Sequence, residues 1–344
     1  MSHRFSIKEI AHQAGLSTAT IDRVINHRPG VRRQTANRVH AAIRELEAQE
    51  AQLAMSGRKL MIDLLVEAPQ AFLDALQSAL RQELPLIQTA IFRARSDLRA
   101  RFPTEALVAG LERAGRLKSD GVILMAPDTA PIRAAVARLA ASAVPVVTLA
   151  TDMPGSARAG YAGLDNRLTG ETAAWLMCRL IAGRTAPHIL VTQRNDAFRG
   201  EAERAEGFRA AMARHRPDAA ITLLVQGKAG ADFATQVAER SHQSPPAGLY
   251  SIGGSNRALV QAFARHGLPR PAMIGHDLDP ENHALLADEA LDAVLYHELT
   301  DDIRHALQVF LSVHSQGAVP MPENGTPLRV ILPPMMAGPA RSEA

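Results

Sequence analysis

Cysteine is nearly absent: Cys178 is the only one in 344 residues, which excludes an internal disulfide and any cysteine-based metal site. It falls within an apolar helix pattern and reads as a small core residue. No stretch approaches the roughly 20 apolar residues of a membrane span. The chain opens on a polar helix rather than an export signal, so a cytoplasmic location is expected. Phosphate-cradling loops are missing as well. No Gly-x-Gly-x-x-Gly follows a strand, no Gly-x-x-x-x-Gly-Lys-Ser/Thr occurs, and Gly253-Gly254-Ser255 supplies glycines without the remainder of such a loop. The 13 histidines contain no His-Glu-x-x-His spacing that would hold zinc. There is no Gly-x-Ser-x-Gly elbow for a nucleophilic serine. A nucleotide-dependent α/β enzyme, the competing class, is therefore left without a motif, and nothing calls for a cofactor or a metal. The eleven residues after Pro333 are rich in Gly, Pro and Ala and hold no leucine heptad, so a coiled-coil tetramer is not expected.

What is present is most specific at the start. Ser6 and Glu9 have capping-box spacing, and Ile7, Ile10, Ala11 and Ala14 form one apolar helical stripe. Gly15 sits at a corner that favours positive φ. Ser17 can cap a second helix with Ile21, Val24 and Ile25 on its buried side. Thr18, Ala19, Asp22 and Arg23 remain on the free face. A third amphipathic segment, 33–46, closes the trio through Val39, Ala42, Ile43 and Leu46. Two short helices meeting at a glycine make a helix-turn-helix, although an ordinary helical hairpin shares that outline. Charge separates the two readings. Residues 1–60 carry ten Lys/Arg against five acids, net +5, whereas the rest of the chain is net −2, within a total of +3. A basic head on a mildly acidic body is the asymmetry of a nucleic-acid contact surface.

The pattern Ile7-Lys8-Glu9-Ile10-Ala11, Ala14-Gly15-Leu16-Ser17, Thr20-Ile21, Arg23-Val24-Ile25-Asn26, then Val31, Thr35, Arg38-Val39 and Ala42-Ile43 resembles the headpiece of the lactose-repressor (LacI/GalR) family of bacterial transcription regulators. The resemblance implies that the second helix enters the major groove of a double-stranded DNA operator, with Thr18 and Ala19 facing bases and Arg23 on a base or phosphate. The DNA-contact set it implies is Ser6, Ser17, Thr18, Ala19, Thr20, Arg23, Asn26 and Arg32. Asp22 stands where many relatives carry Ser, so the preferred bases can differ. Relatives follow the third helix with Gly-Tyr-x-Pro-Asn and a hinge helix whose leucine wedges into the minor groove. Here the chain reads Glu47-Ala-Gln-Glu-Ala-Gln-Leu-Ala-Met-Ser-Gly-Arg58 without Tyr, Pro or Asn. One reading keeps Leu53 as that wedge. The other runs residues 33–55 as one helix that never enters the groove, because Glu, Ala, Gln and Leu are good helix formers and no breaker intervenes.

After residue 60, apolar runs of strand length alternate with helix-length amphipathic segments. Expected strands include 60–66, 86–92, 121–126, 144–149, 188–192, 220–225, 248–252, 272–275 and 293–295, with helices such as 71–81, 104–114, 169–181 and 202–214 between them. Such an alternation indicates parallel sheets covered on both faces, and there are enough units for two lobes. These units resemble the effector domain of the same family. The fold class implied is α/β: an N-terminal three-helix helix-turn-helix headpiece (1–46), an atypical shortened hinge or linker (47–59), and a two-lobed, doubly wound periplasmic-binding-protein-like (type I) domain (60–340). Lobe crossings fall near 160, 297 and 326.

In such a fold a ligand lies between the lobes, outside the carboxyl ends of the strands. For a sugar, polyol or derivative, carboxylates, amides and Arg bond the hydroxyls and aromatic rings cover the apolar faces. The resemblance places Phe72 after the first strand as a stacking platform, with helix-start packing as the alternative. Asp152 lies near a family carboxylate, and surface capping is the alternative. Arg204 stands three before a glycine, like the family's ligand-binding arginine, with a solvent ion pair as the alternative, and Arg199 is a weaker neighbouring candidate. Phe233 resembles a second stacking ring or is plain core. Asn256 substitutes for an amide whose place Gly254 occupies. Asp277 matches the family carboxylate, and His297 stands where many relatives put Gln. Asp165-Asn166 resembles a recurrent pair whose simplest role is capping the next helix, and it is not counted as a ligand contact. The expected protein is a homodimeric, ligand-switched repressor. A regulator of the same fold switched by a protein partner is the alternative, and would have a cleft poor in polar side chains.

Overall fold

The computed structural model describes residues 4–55, 57–194, 198–227, 232–315 and 325–336, with backbone only for 48–55. Three helices open the chain: α1 (Ile7–Ala14), α2 (Thr18–Ile25) and α3 (Arg33–Met55). Ser6 caps α1 through a complete capping box, its hydroxyl taking the Glu9 amide at 3.2 Å while the Glu9 carboxylate takes the Ser6 amide at 2.8 Å. Gly15 ends α1 in the left-handed region at φ 59°, and a Cβ there would lie 2.8 Å from the Arg38 guanidinium. Ile10, Ala14, Ile21, Val24, Val39 and Ala42 bury together as a separate small core. Gln13 donates to Glu45 at 2.6 Å and ties α1 to α3. α3 continues unbroken to Met55, so residues 47–55 have the continuous-helix backbone of the two linker alternatives, while the side chain of Leu53 lies outside the described residues.

Two parallel sheets follow. The first lobe holds β1 (Lys59–Glu67), β2 (Ile91–Arg99), β3 (Gly121–Met125), β4 (Val146–Leu149) and β5 (Gly160–Ala162) in the order β2-β1-β3-β4-β5. Helices α4 (Gln70–Glu83), α5 (Thr104–Arg116) and α6 (Ala130–Ala141) connect them. The strands are apolar on both sides because both sides are covered. Leu60, Ile62 and Leu64 pack with Leu73, Leu76, Ile303 and Phe310 on one face, and Leu65, Val122 and Leu124 with Leu107, Leu111 and Val136 on the other.

The second lobe is a six-stranded sheet, made of β6 (His188–Gln193), β7 (Ala220–Val225), β8 (Gly248–Ser251), β9 (Ala272–His276), β10 (Ala293–Tyr296) and β11 (Arg329–Ile331). Its order is β11-β10-β9-β8-β6-β7, with only β11 antiparallel. Helices α7 (Asn166–Leu180) and α8 (Arg199–His215) cover one face; α9 (Phe233–Gln243), α10 (Asn256–Arg265) and α11 (Pro280–Ala287) cover the other. Helix α12 (Leu299–His314) returns to the first lobe, where Ile303, Ala306, Leu307 and Phe310 enter its core. The chain thus passes between lobes after β5, after β10 and again between α12 and β11. In each sheet the strand order switches, between β1 and β3 and between β6 and β8, which opens a crevice at the carboxyl ends of its own strands.

Candidate DNA interface and effector cleft

The free face of α2 is built by its caps. Ser17 accepts the Thr20 amide at 3.2 Å and lies 2.9 Å from the Thr20 hydroxyl, so these two side chains start the helix. Thr18 and Ala19, in the first turn, are exposed, as are Arg23 and Arg32. No ion pair holds Arg23 among the described residues. Asn26 donates to Asp22 at 2.7 Å, and Arg28 approaches the same carboxylate at 3.1 Å. Asp22 therefore neutralises part of the face and orients its neighbours. Hydrogen bonds from Ser6 hold the Glu9 carboxyl below its ordinary pKa, which keeps the cap charged at the positive end of α1.

Between the lobes, Arg204 on α8 is the centre of a polar cluster. Its Nε donates to Asn166 Oδ1 at 2.8 Å, while Asn166 Nδ2 donates to the Tyr161 hydroxyl at 3.2 Å. Tyr161 in turn donates to the Leu164 carbonyl at 2.9 Å. The Arg204 charge also reaches Tyr250, His276 and His297. Arg204 is half-buried and has no acidic partner among the described residues, which leaves the terminal nitrogens of its guanidinium available to a ligand. Thr151, at the end of β4, accepts the Gly200 amide at 3.3 Å and joins the two lobes at the mouth of the cleft.

Two histidines beside Arg204 are driven in opposite directions. His276 is fully buried, with the Tyr250 hydroxyl 2.7 Å from its Nε2; burial first, then the charges of Arg204 and His297, push its pKa well below the ordinary value. Burial also opposes charge on His297, but the Asp302 carboxylate, 2.9 Å from Nδ1, outweighs it, and Asp277 adds to the effect. The net shift of His297 is upward.

The sequence-predicted contacts separate. Arg204, Asp277 and His297 share one neighbourhood, and the exposed Asp277 holds φ 65° at the carboxyl end of β9. Such a conformation is sparsely populated for a non-glycine residue and is held here by surrounding structure. The Asp277 carbonyl accepts Asn282 Nδ2 at 2.8 Å. Asn256 is buried and donates to Asn282 at 2.7 Å, with its own Oδ1 unpartnered. Phe72 is half-buried against the first-lobe core at the start of α4. Asp152 takes hydrogen bonds from Thr148, the Met153 amide and Arg158, so its carboxylate is already engaged by its own loop. Two of the expected contact residues are engaged elsewhere. Phe233 is 6% exposed and packs with Leu224, Val237 and Phe263, because the first turn of α9 faces the sheet. Arg199 pairs with Glu203 at 2.6 Å, one helical turn away, so its guanidinium is already engaged on its own helix.

Asn166, Tyr161 and Asp302 belong to the cluster but were not singled out as contacts. Asp165 caps α7 through the Leu168 amide at 2.9 Å, and the capping explanation concealed that Asn166, next to it, turns inward under Arg204. A separate groove of about 700 Å³ lies on the outer face of the second lobe, between α8 and β7, and is lined by Ala205, Arg209, Ile221 and Leu223 among others. It touches the carboxyl end of β6 only at Gln193, which is also the one lining residue with an orphaned buried side-chain atom.

A helix-turn-helix head joined to a two-lobed, cleft-bearing α/β domain defines a ligand-responsive type of DNA-binding regulator. The family comparisons agree: the periplasmic binding protein domain matches residues 98–309, and the bacterial regulatory proteins of the lacI family match residues 6–47. The chain belongs to the periplasmic-binding-protein domain family and carries a LacI-type regulatory headpiece. Among solved structures it is similar to a chain from Bacteroides fragilis assigned to the LacI transcriptional regulators, at 13% identity and TM-score 0.71, over 81% of this chain and 98% of that one. It is also similar to GanP, a glucose-galactose binding protein from Geobacillus stearothermophilus (17% identity, TM-score 0.70, covering 81% and 98%). A third is a solute binding protein from Agrobacterium vitis bound with alpha-D-tagatopyranose (20% identity, TM-score 0.68, covering 82% and 97%). At these identities the likeness is one of fold. No curated protein sequence matches the chain significantly.

Proposed function

We propose that the protein is a cytoplasmic transcriptional repressor whose affinity for a pseudo-palindromic operator is set by a sugar, polyol or derivative bound between its lobes. The carrying observation is the pairing, in one chain, of an exposed α2 face on a basic head with a half-buried, acid-free Arg204 in an interlobe cleft. Two copies act together in this reading, because a twofold protein presents two recognition helices to successive major grooves. The ligand acts by binding the open and closed lobe arrangements unequally, since only differential affinity shifts such an equilibrium. Arg204, Asp277, Asn256 and His297 are its proposed polar contacts and Phe72 its stacking ring.

The test is a thermal-shift screen of the full chain against sugars, polyols, sugar phosphates and nucleosides. The expected result is a dose-dependent rise in Tm with one chemical group of the panel, abolished in Arg204→Ala. Silence across the panel, with operator binding intact, would overturn the small-molecule switch and favour a protein partner. Light scattering at micromolar concentration is expected to give a dimer.

A further inference from the structure

The three crossovers between the lobes are joined by one chain of polar contacts. The Thr326 amide, on the third crossover, donates to the Gly163 carbonyl on the first at 2.9 Å. The Thr326 hydroxyl lies 3.3 Å from Nδ1 of His297, on the second. The same nitrogen stands 2.9 Å from Asp302 Oδ2, in the first turn of α12, which belongs to the first lobe. The His297 side chain is 4% exposed and that of Asp302 is wholly buried. Neither Asp302 oxygen has a well-aligned hydrogen bond among the described residues, and the imidazole is the cation placed against it.

A buried carboxylate is tolerated when a cation compensates it and is costly when that cation is lost. His297 is a cation that comes and goes within the ordinary pH range, unlike the glutamine many relatives carry there. We propose that the Gly163–Thr326–His297–Asp302 chain is a proton-operated latch: with His297 charged the crossovers are held together and the lobes stay closed, and loss of that proton releases them. Every group facing the pair bears on this balance. Asp277, at the end of β9, favours charge on His297; Arg204 on α8 opposes it, and the charge of His297 in turn disfavours protonation of the buried His276. Around Asp302, the field also reaches His305 on α12 and Tyr161 on β5. The release is written for His297 because it alone among these groups touches both Asp302 and Thr326.

The latch concerns the hinge and holds whether or not the ligand is a sugar, so its test uses the unliganded full chain. Donor and acceptor dyes are placed on Glu105→Cys in α5 and Gln261→Cys in α10, both exposed sites on opposite lobes, in a Cys178→Ser background. The expected result is a separation that grows as pH rises from about 5.5 to 8.5, with a midpoint above the ordinary imidazole value. His297→Gln is expected to abolish that response. Thr326→Val, which cuts the chain without touching the buried pair, is expected to flatten it. A pH-independent separation in the chain with His297, or an undiminished response in either variant, overturns the latch. Operator binding measured on the same samples reports separately on the regulator reading.

Discussion

Gly170 and Gly207 face each other where α7 crosses α8, and each meets the other helix's backbone. A Cβ on Gly170 would fall 2.0 Å from the Arg204 carbonyl oxygen, and one on Gly207 would fall 2.2 Å from that of Arg167. The crossing therefore admits only hydrogen, and it sets how deeply Arg204 and Asn166 reach into the cleft. Replacing a helical glycine by alanine at a compatible site ordinarily stabilises by about 0.4–1 kcal/mol. Here the sign is expected to reverse. Gly207→Ala should cost about 1–3 kcal/mol or more in urea unfolding, because backbone atoms cannot yield as a side chain would. Equal or greater stability in the variant would mean that the helices do not cross this closely.

At the headpiece, the exposed Arg23 is the proposed reader of a base edge. Arg23→Ala is expected to weaken operator binding by about 1–3 kcal/mol and to relax preference at one position of the site. The full protein, contacting about eight phosphates as a dimer, should lose log affinity against log salt with a slope near −7. Gel-shift titrations at several salt concentrations read both quantities, and a slope near zero would rule out DNA contact by this face. Ser17 makes a different contribution. Because it accepts the Thr20 amide, Ser17→Ala should lower headpiece stability by about 1 kcal/mol before any contact with DNA is considered.

In the cleft, Asn166 holds Arg204 Nε, while Arg204 itself offers the remaining guanidinium hydrogens. Arg204→Ala is expected to abolish the thermal shift given by an active compound. Asn166→Ala should weaken it by roughly tenfold in affinity, the scale of one charge-assisted hydrogen bond. Both variants should retain operator binding. Loss of DNA binding in a folded variant of either kind would remove these residues from an effector site.

The headpiece was legible because its signals are local: Ser6, Glu9, Gly15 and Ser17 each specify a cap or corner within a few residues. The parallel lobes were legible as alternating apolar runs. β2 was displaced in the sequence reading, which expected 86–92 against the observed Ile91–Arg99. It is an edge strand that carries Arg93, Arg95, Asp97 and Arg99 instead of an apolar run, and Arg95 spends its charge on the buried Asp63 at 2.7 and 2.9 Å. Residues 84–86 form a 3-10 turn instead. In the cleft, residues adjoining a strand end, such as Asp277, could be named. Asn166 and Asp302 could not, because each sits in the first turn of a helix where a capping or dipole role explains it equally well, and only the tertiary crossings of α7 and α12 reveal the inward face.

His276 gives a pH dependence opposite in sense to that of His297. Buried beside Tyr250 and pressed by the charges of Arg204 and His297, it stays neutral in the folded protein at pH values where the unfolded chain, near 6.5, takes up a proton. The unfolded state then binds more protons as pH falls, so stability present above about 6.5 is lost on acidification. His297 has its pKa raised in the fold, so its contribution is fully present below the unfolded value near 6.5 and is lost as pH rises through the folded pKa. Urea unfolding between pH 5 and 8.5 is therefore expected to show two limbs. His276→Gln, which keeps an acceptor for the Tyr250 hydroxyl, should flatten the acid limb, and His297→Gln should remove the alkaline limb while also softening the acid one, because it lifts a charge from His276. An acid limb of unchanged slope in His276→Gln would show that some other group takes up the proton and that the buried His276 is not the source of the acid limb.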